Sequence, residues 1–320
     1  MLLLGADDVL RACPMADAIE AVEAGFAALS TGRAIVPLRA SVPLSGGGVA
    51  LSMPASLPGG AHWCVKLVTV APTNPSRGLP LIGATVLLGD AESGLPLALL
   101  DGGSLTALRT GAAGGVAAKH LARRDSAVIA LFGAGAQART QLLAAAVVLP
   151  LREVRVVARE RVHAEALIGS LRDATALRGV RLVAADAREA VAGADVVITA
   201  TSSPLPVFEG RDLGPGVHVT AVGSFTPSTR ELDEDTMRGA RVVVDQRAAA
   251  LAEAGELQGI SGSDVVEIGE LIAGTAPGRR DAGERTVFKS VGNAVQDLVT
   301  ASRAYERARS AGIGREIAWP

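Results

Sequence analysis

Gly133-Ala134-Gly135-Ala136-Gln137-Ala138 follows directly on an apolar run over residues 127–132 and leads into a helical pattern over 137–148. A strand that ends in G-x-G-x-x-A and opens into a helix calls for a parallel α/β unit with a ligand at its turn. Gly133 permits the tight turn, Gly135 leaves room for a pyrophosphate, and Ala138 is small enough for helix and strand to pack. Ala136 and Gln137 begin a helix whose N-terminal N–H groups favour phosphate. The ligand this pattern predicts is a dinucleotide.

The rest of the chain supports such a unit in its second part. Strands are expected over 127–132, 153–158, 181–183, 196–200, 218–222 and 241–244, with helices between them, including 162–171 and 187–192. This alternation is that of a doubly wound parallel sheet covered on both faces, a Rossmann domain. The first part differs. Two helices, 7–13 and 15–31, come first, and Ala18, Ile19, Val22, Phe26 and Leu29 recur at helical spacing in the second. Short strands over 35–42, 49–53, 64–70, 83–88 and 96–100, broken by Gly and Pro, predict a mostly antiparallel sheet. Asp90-Ala-Glu-Ser-Gly94 reads as a hairpin turn. A helix over 105–121 leads out of this part. The last helix, 290–310, carries the stripe Ala294, Leu298, Ala301, Tyr305 after the parallel unit is complete, so it is expected to return to the first part. The expected fold class is α/β, with an α+β domain of residues 1–120 joined by 290–320 and a Rossmann domain of 121–289.

Composition narrows the partners. The 320 residues hold 31 Lys and Arg against 33 Asp and Glu, a net charge of −2 that gives no basic footprint for nucleic acid. Cys13 and Cys64 lie far apart and the four histidines are scattered, which suggests neither a metal cluster nor a disulfide framework. The longest apolar runs, such as 142–151, are too short to cross a bilayer. Met1–Gly5 show neither the basic region nor the cleavage site of a signal peptide. The expectation is a cytoplasmic protein with no membrane or nucleic-acid partner.

The end of the second parallel strand selects between nicotinamide cofactors. An acid there bonds the ribose hydroxyls of NAD and repels the extra phosphate of NADP. Here Ala158 is followed by Arg159-Glu160-Arg161. Two guanidiniums can hold a 2′-phosphate, whereas Glu160 between them opposes it. The expectation is NADP(H) ahead of NAD(H). Ser202, after the fourth parallel strand, is expected to touch the dinucleotide.

Several ordered motifs then carry a resemblance. They are Lys66-Leu-Val-Thr, Asn74, Gly78-Leu-Pro80, Gly94-Leu-Pro-Leu-Ala-Leu-Leu-Asp101-Gly-Gly and Leu105-Thr-Ala-Leu-Arg109-Thr110-Gly-Ala-Ala. With them go Gly133 to Ala138, Ala221-Val-Gly-Ser-Phe225, Phe288-Lys-Ser-Val-Gly292 and Asp297. Over nearly its whole length the chain resembles the ornithine cyclodeaminase/μ-crystallin family. The resemblance implies an N-terminal α+β domain that dimerises through its sheet, a central Rossmann domain, and a C-terminal helix returning to the first domain. It also implies a small imino or amino acid substrate, a nicotinamide cofactor in the interdomain cleft, and a homodimer. Arg39, Lys66 and Arg109 match the basic residues that clamp the substrate carboxylate, with Lys66 a catalytic candidate. Thr110 and Gly223 are expected to join the cofactor site.

One departure bears on the reaction. Cyclodeaminases carry an Asp after the fifth Rossmann strand that contacts the substrate amine; aligned through Ala221-Val-Gly and Glu231-Leu, that position here is Phe225. Phenylalanine accepts no proton and holds no ammonium by charge. The Gly-Ser-Phe-x-Pro loop is similar to that of the branch holding the Δ1-pyrroline-2-carboxylate and Δ1-piperideine-2-carboxylate reductases. The expected activity is therefore reduction of a cyclic α-imino acid to L-proline or L-pipecolate, with Phe225 against the ring or merely plugging its loop. The alternatives are an alanine dehydrogenase or iminosuccinate reductase-like enzyme, an ornithine cyclodeaminase with its acid elsewhere, and a non-catalytic NADP-dependent binder of the μ-crystallin type. Lys289 and Asp297 have no role assigned, although Asp297 would be able to orient Lys66. Asp245 reads as a turn or capping residue and His218 as structural.

Overall fold

The computed structural model describes residues 1–318. Its first elements are β1 (Leu2–Leu4), α1 (Ala6–Ala12), α2 (Met15–Ser30), β2 (Ala40–Pro43), β3 (Val49–Ser56), β4 (His62–Val70), β5 (Ile82–Asp90), β6 (Pro96–Asp101) and α3 (Gly102–Leu121). Then come β7 (Val128–Phe132), α4 (Ala136–Val148), β8 (Glu153–Val157), α5 (Arg161–Ser170), β9 (Arg181–Ala184), α6 (Ala187–Val191), β10 (Val196–Thr199) and β11 (His218–Ala221). The last are α7 (Glu234–Met237), β12 (Arg241–Val244), α8 (Arg247–Glu253), β13 (Val265–Glu267), α9 (Ile268–Ile272), β14 (Thr286–Lys289), α10 (Ala294–Ala311) and β15 (Arg315–Glu316). The chain divides into two compact units, residues 1–109 with the C-terminal stretch from 293, and residues 110–292. The first division falls inside α3, not at its end.

The first unit is built on a seven-stranded sheet in the order β15-β1-β6-β5-β4-β3-β2. β2 to β6 form the expected antiparallel meander. The β5–β6 turn is held by Ser93 N–H donating to Asp90 Oδ1 at 2.7 Å, and Gly94 takes a φ of 74° that a side chain would resist. β2 starts at Ala40 rather than 35. Pro37 has no N–H to give a ladder, and Ile35 makes only an isolated bridge to Ser56. β1, parallel to β6, and β15 are too short to show a periodicity in the sequence.

The two faces of this sheet differ. In register, Met53, Lys66 and Val86 lie side by side, as do Ala55, Cys64 and Leu88, and all six are buried. α10 packs on this side against β3, β4 and α2. Gly25 lets α2 approach, because a Cβ there would stand 3.1 Å from Val299. The opposite face carries Trp63, Val65 and Leu67 with Val42 and Leu87. Leu67 is 56% and Val42 61% exposed.

The second unit is an eight-stranded, all-parallel sheet in the order β13-β12-β14-β11-β10-β7-β8-β9. Its central strands β7, β10, β11 and β14 are buried on both sides. Ile129, Leu131, Val196 and Ile198 pack under Leu142 of α4, whereas Ala130, Phe132, Val197 and Val219 pack on the other face. Successive crossovers turn in opposite directions on the two sides of β7, which places the ligand crevice at the carboxyl ends of β7 and β10. Two strands were not expected. β14 inserts between β11 and β12, and β13 extends the edge beyond β12. Four residues ending in a lysine, preceded by the charged stretch Arg279 to Arg285, carry no strand periodicity. His218 is structural, as expected: its ring lies between Thr286 Oγ1 at 2.9 Å and Thr220 Oγ1 at 3.0 Å, and burial pushes its pKa down to about 3.

Candidate active site

The functional side chains fall into two groups, one in each unit. In the second unit a cleft of about 1080 Å³ opens at the carboxyl ends of β7, β8 and β10. Gly133 takes a φ of 111°, and a Cβ there would meet the Ala200 carbonyl at 2.3 Å, so only glycine makes this turn. Gly135 is the N-cap of α4, and the space where its Cβ would stand is open. The first turn of α4 therefore presents N–H groups with no partner inside the helix, at its positive end. The floor, the open cradle and the helix end together fit a dinucleotide pyrophosphate.

Gly133, Gly135, Ala136, Arg159 and Ser202 line this cleft. Ala138 is buried beneath it and packs α4 onto the sheet. Thr110 and Gln137 do not line it. Thr110 is buried, and its carbonyl accepts Gln141 Nε2 at 2.6 Å. Gln137 Oε1 is buried with no hydrogen-bond partner. Arg161 is not among the residues that line the cleft. It starts α5, is exposed, and pairs with Glu165 one turn on at 3.0 Å, away from the cleft lining. Of the residues that follow β8, Arg159, Glu160 and His163 line the cleft, and Arg139 of α4 joins them. His163 was missed because it falls in the first turn of the following helix.

Gly223 also stands outside the lining. Its N–H donates to Glu231 Oε2 at 2.7 Å. Phe225 is 48% exposed, which rules out a plug against the core. Beneath this loop Lys289 Nζ, fully buried, donates to Ser224 O at 2.8 Å and Oγ at 2.7 Å and pairs with Glu256 Oε2 at 3.3 Å. Asp245 does more than cap a turn: its Oδ2 accepts Ser290 Oγ and Gly292 N–H, both at 2.7 Å.

In the first unit three buried charges meet. Lys66 of β4 places Nζ 2.7 Å from Asp297 Oδ2, and Arg109 of α3 donates from Nε to Asp297 Oδ1 at 3.0 Å. Arg109 Nη1 also donates to Gln296 Oε1 at 2.6 Å. Asp297 and Gln296 lie in the first turns of α10, where the helix end favours a carboxylate. Two cations and one carboxylate leave the cluster at +1. Burial, then the charge of Arg109, draws the Lys66 pKa down from 10.5 to about 8, against the pull of Asp297. Arg39, half-buried just before β2, adds a smaller push in the same direction, so its charge is felt at Lys66. Burial and Asp297 hold the Cys64 thiol well above its usual range, which leaves it an inert neutral neighbour. Among the described residues no group of His, Cys, Asp and Glu could hold a metal, and no helix is long and apolar enough to cross a membrane.

This arrangement has known counterparts. The family model of the ornithine cyclodeaminase/mu-crystallin family matches residues 1–312. A Δ1-pyrroline-2-carboxylate reductase of Bacillus cereus is 38% identical, with 99% of each chain covered. The structure of Thermococcus litoralis Δ1-pyrroline-2-carboxylate reductase in complex with NADH and L-proline superposes with a TM-score of 0.92 at 38% identity, covering 99% of this chain and 100% of that one. An archaeal alanine dehydrogenase dimer with bound NAD gives a TM-score of 0.92 at 35% identity, covering 100% of this chain and 99% of that one. A whole-length family match, carried by a dinucleotide turn and a buried Lys–Asp–Arg cluster in their own units, means that this chain belongs to the ornithine cyclodeaminase/mu-crystallin family.

Proposed function

We propose that this chain is a reductase of small cyclic α-imino acids that uses a nicotinamide dinucleotide. Its substrate would be Δ1-pyrroline-2-carboxylate or Δ1-piperideine-2-carboxylate, and its product L-proline or L-pipecolate. The observation that carries the reading is the buried Lys66–Asp297–Arg109 cluster with its net charge of +1. A small α-imino acid offers one strong handle, its carboxylate. The planar guanidinium of Arg109 grips such a group in a fork, and Arg39 adds charge. A bound reduced nicotinamide supplies a hydride for C2 of the imine. Asp297 holds Lys66 and Arg109 side by side against their mutual repulsion, so the clamp is set before substrate arrives. Lys66, at a pKa of about 8, keeps a proton at Nζ near neutral pH and can release it to the imine nitrogen.

Gly133, Gly135, Ala136, Gln137, Ala138, Ser202 and, less directly, Thr110 and Gly223 form or support the dinucleotide site in this reading. Arg159 supports NADP(H) ahead of NAD(H), since it is the cation at the end of β8 that lines the cleft. The uncovered apolar face of the seven-stranded sheet supports a homodimer. Cys13 and Cys64, both free and buried, support a reducing compartment, the cytoplasm.

The test is NADPH oxidation with each cyclic imine, run beside pyruvate with ammonia, iminosuccinate and NADH. Rapid turnover of either ring is the expected result. Turnover of only the open-chain substrates would replace the reading by a dehydrogenase of alanine or iminosuccinate type. Ammonia and proline from ornithine would restore a cyclodeaminase. Nucleotide binding without any turnover would leave a non-catalytic binder.

A further inference from the structure

Glu231 is fully buried, and four neutral donors hold its carboxylate. Oε1 accepts Thr201 N–H and Thr201 Oγ1, each at 2.7 Å. Oε2 accepts Gly223 N–H at 2.7 Å and Thr199 Oγ1 at 3.0 Å. Thr201 belongs to the loop that walls the dinucleotide cleft, and its hydroxyl also accepts Ser203 N–H at 3.1 Å. Gly223 opens the loop that carries Phe225. One rigid group thus bonds both loops. The contact leaves no slack: a Cβ on Gly223 would stand 2.2 Å from Thr201 O and 2.5 Å from Glu231 Oε1. The next residue is fixed from below, since Ser224 Oγ donates to Glu256 Oε1 at 2.6 Å and Glu231 N–H donates to the same oxygen at 2.8 Å. Gly223 and Ser224 are therefore tied to the cleft wall, and the exposed side chain of Phe225 follows them.

We propose that Glu231 is a positioning residue that couples occupancy of the dinucleotide cleft to the geometry of the Phe225 loop. It rests on the reading of the cleft as a dinucleotide site. A ligand that immobilises Thr201 to Ser203 immobilises Gly223 through the shared carboxylate, so the nucleotide sets the loop before the imino acid binds. Two oxygens facing four donors require a carboxylate. A glutamine would turn its NH₂ toward one hydroxyl, which can rotate to accept, and one backbone N–H, Thr201's or Gly223's, which is left unsatisfied.

The experiment is hydrogen exchange read over residues 223–230, with NADPH and with NADH, beside calorimetric titration of the same samples. In the unmodified protein, bound nucleotide is expected to slow exchange in this segment roughly tenfold. In Glu231→Gln, nucleotide still binds, within roughly tenfold of the original affinity, but exchange in the segment no longer responds and KM for the imine rises more than kcat falls. A full response in Glu231→Gln, or bound nucleotide with no response in the unmodified protein, overturns the coupling and leaves the cleft reading intact. Failure of the unmodified protein to bind either nucleotide overturns both. If Glu231→Gln does not fold or bind, Thr201→Val removes one donor of the same network and Thr201→Ser restores it. Response lost in the first and regained in the second supports the coupling; equal response in both overturns it.

Discussion

At the scale of single residues, the depressed pKa of Lys66 makes two statements about pH. If Nζ supplies the imine proton, kcat/KM should fall about tenfold per pH unit above about 8, and Lys66→Met should remove that limb and lower kcat by roughly 10²-fold or more. The stability effect has the opposite sign. Between about 8 and 10.5 the unfolded chain binds the lysine proton and the folded chain does not, so this group's contribution rises with pH across that window; below it the burial cost is constant. Thermal melts at pH 7.5 and 9.5, compared between the unmodified protein and Lys66→Met, isolate that contribution. Asp297→Asn should be the most damaging change in the cluster, since it leaves two buried cations facing each other; a loss of about 3–5 kcal/mol in urea unfolding is expected. Lys66 and Arg109 were singled out through the family resemblance, since a lone arginine on a helix reads equally well as a surface residue. Asp297 came from the same resemblance, with orientation of Lys66 one reading of it, whereas Glu231 served only to align the Phe225 loop; the partners of both lie far away in the chain, Arg109 at a separation of 188 and Thr201 at 30.

At the scale of elements, α3 and α4 show why small residues were placed where helix propensity disfavours them. A Cβ on Gly111 would stand 2.7 Å from the Thr140 carbonyl, and one on Gly114 would stand 1.8 Å from Gln141 Oε1. The first obstacle is backbone. The second is the end of a side chain that can swing away, giving up its bond to Thr110 O. Gly111→Ala should therefore cost more than Gly114→Ala, about 2–3 against about 1 kcal/mol, although alanine is the better helix former at both sites. Urea unfolding of the two variants checks the order. α2, α4 and the strand before the glycine turn were readable within a residue, whereas α3 starts three residues before and α10 four residues after the expected position. β13 and β14 were not readable: β13 is only three residues long, and β14, buried on both faces, shows no alternation and ends in Lys289.

At the scale of the whole molecule, the exposed face with Val42, Leu67 and Trp63 predicts the assembly. The protein should run at twice the chain mass by light scattering, and Leu67→Glu should shift it toward the monomer by placing a charge inside the joint. Retention of the dimer in that variant would move the joint to another surface. On the cofactor side, Arg159→Ala should weaken NADPH by roughly tenfold and leave NADH nearly unchanged, read as Kd by titration. Equal losses would show that Arg159 does not read the 2′-phosphate. The two-domain plan was legible because the hydrophobic rhythm changes from one part of the chain to the other. The division within α3 was not, since a helix keeps one periodicity across a boundary that only packing draws.

The first unit is discontinuous: the whole of residues 110–292 stands between its sheet and the helix that covers it. A ribosome makes β1 to β6 early, and α10 and β15 only after residue 292. At synthesis rates of about 5–20 residues per second, Lys66 waits on the order of 10–50 s before Asp297 has been made. Through that interval the lysine's future burial site is open to water and the apolar side of the meander lacks its cover. Residues 110–292 are made in the meantime, so the unit that carries the Gly133–Gly135 turn is complete before the Lys66–Asp297–Arg109 cluster can close.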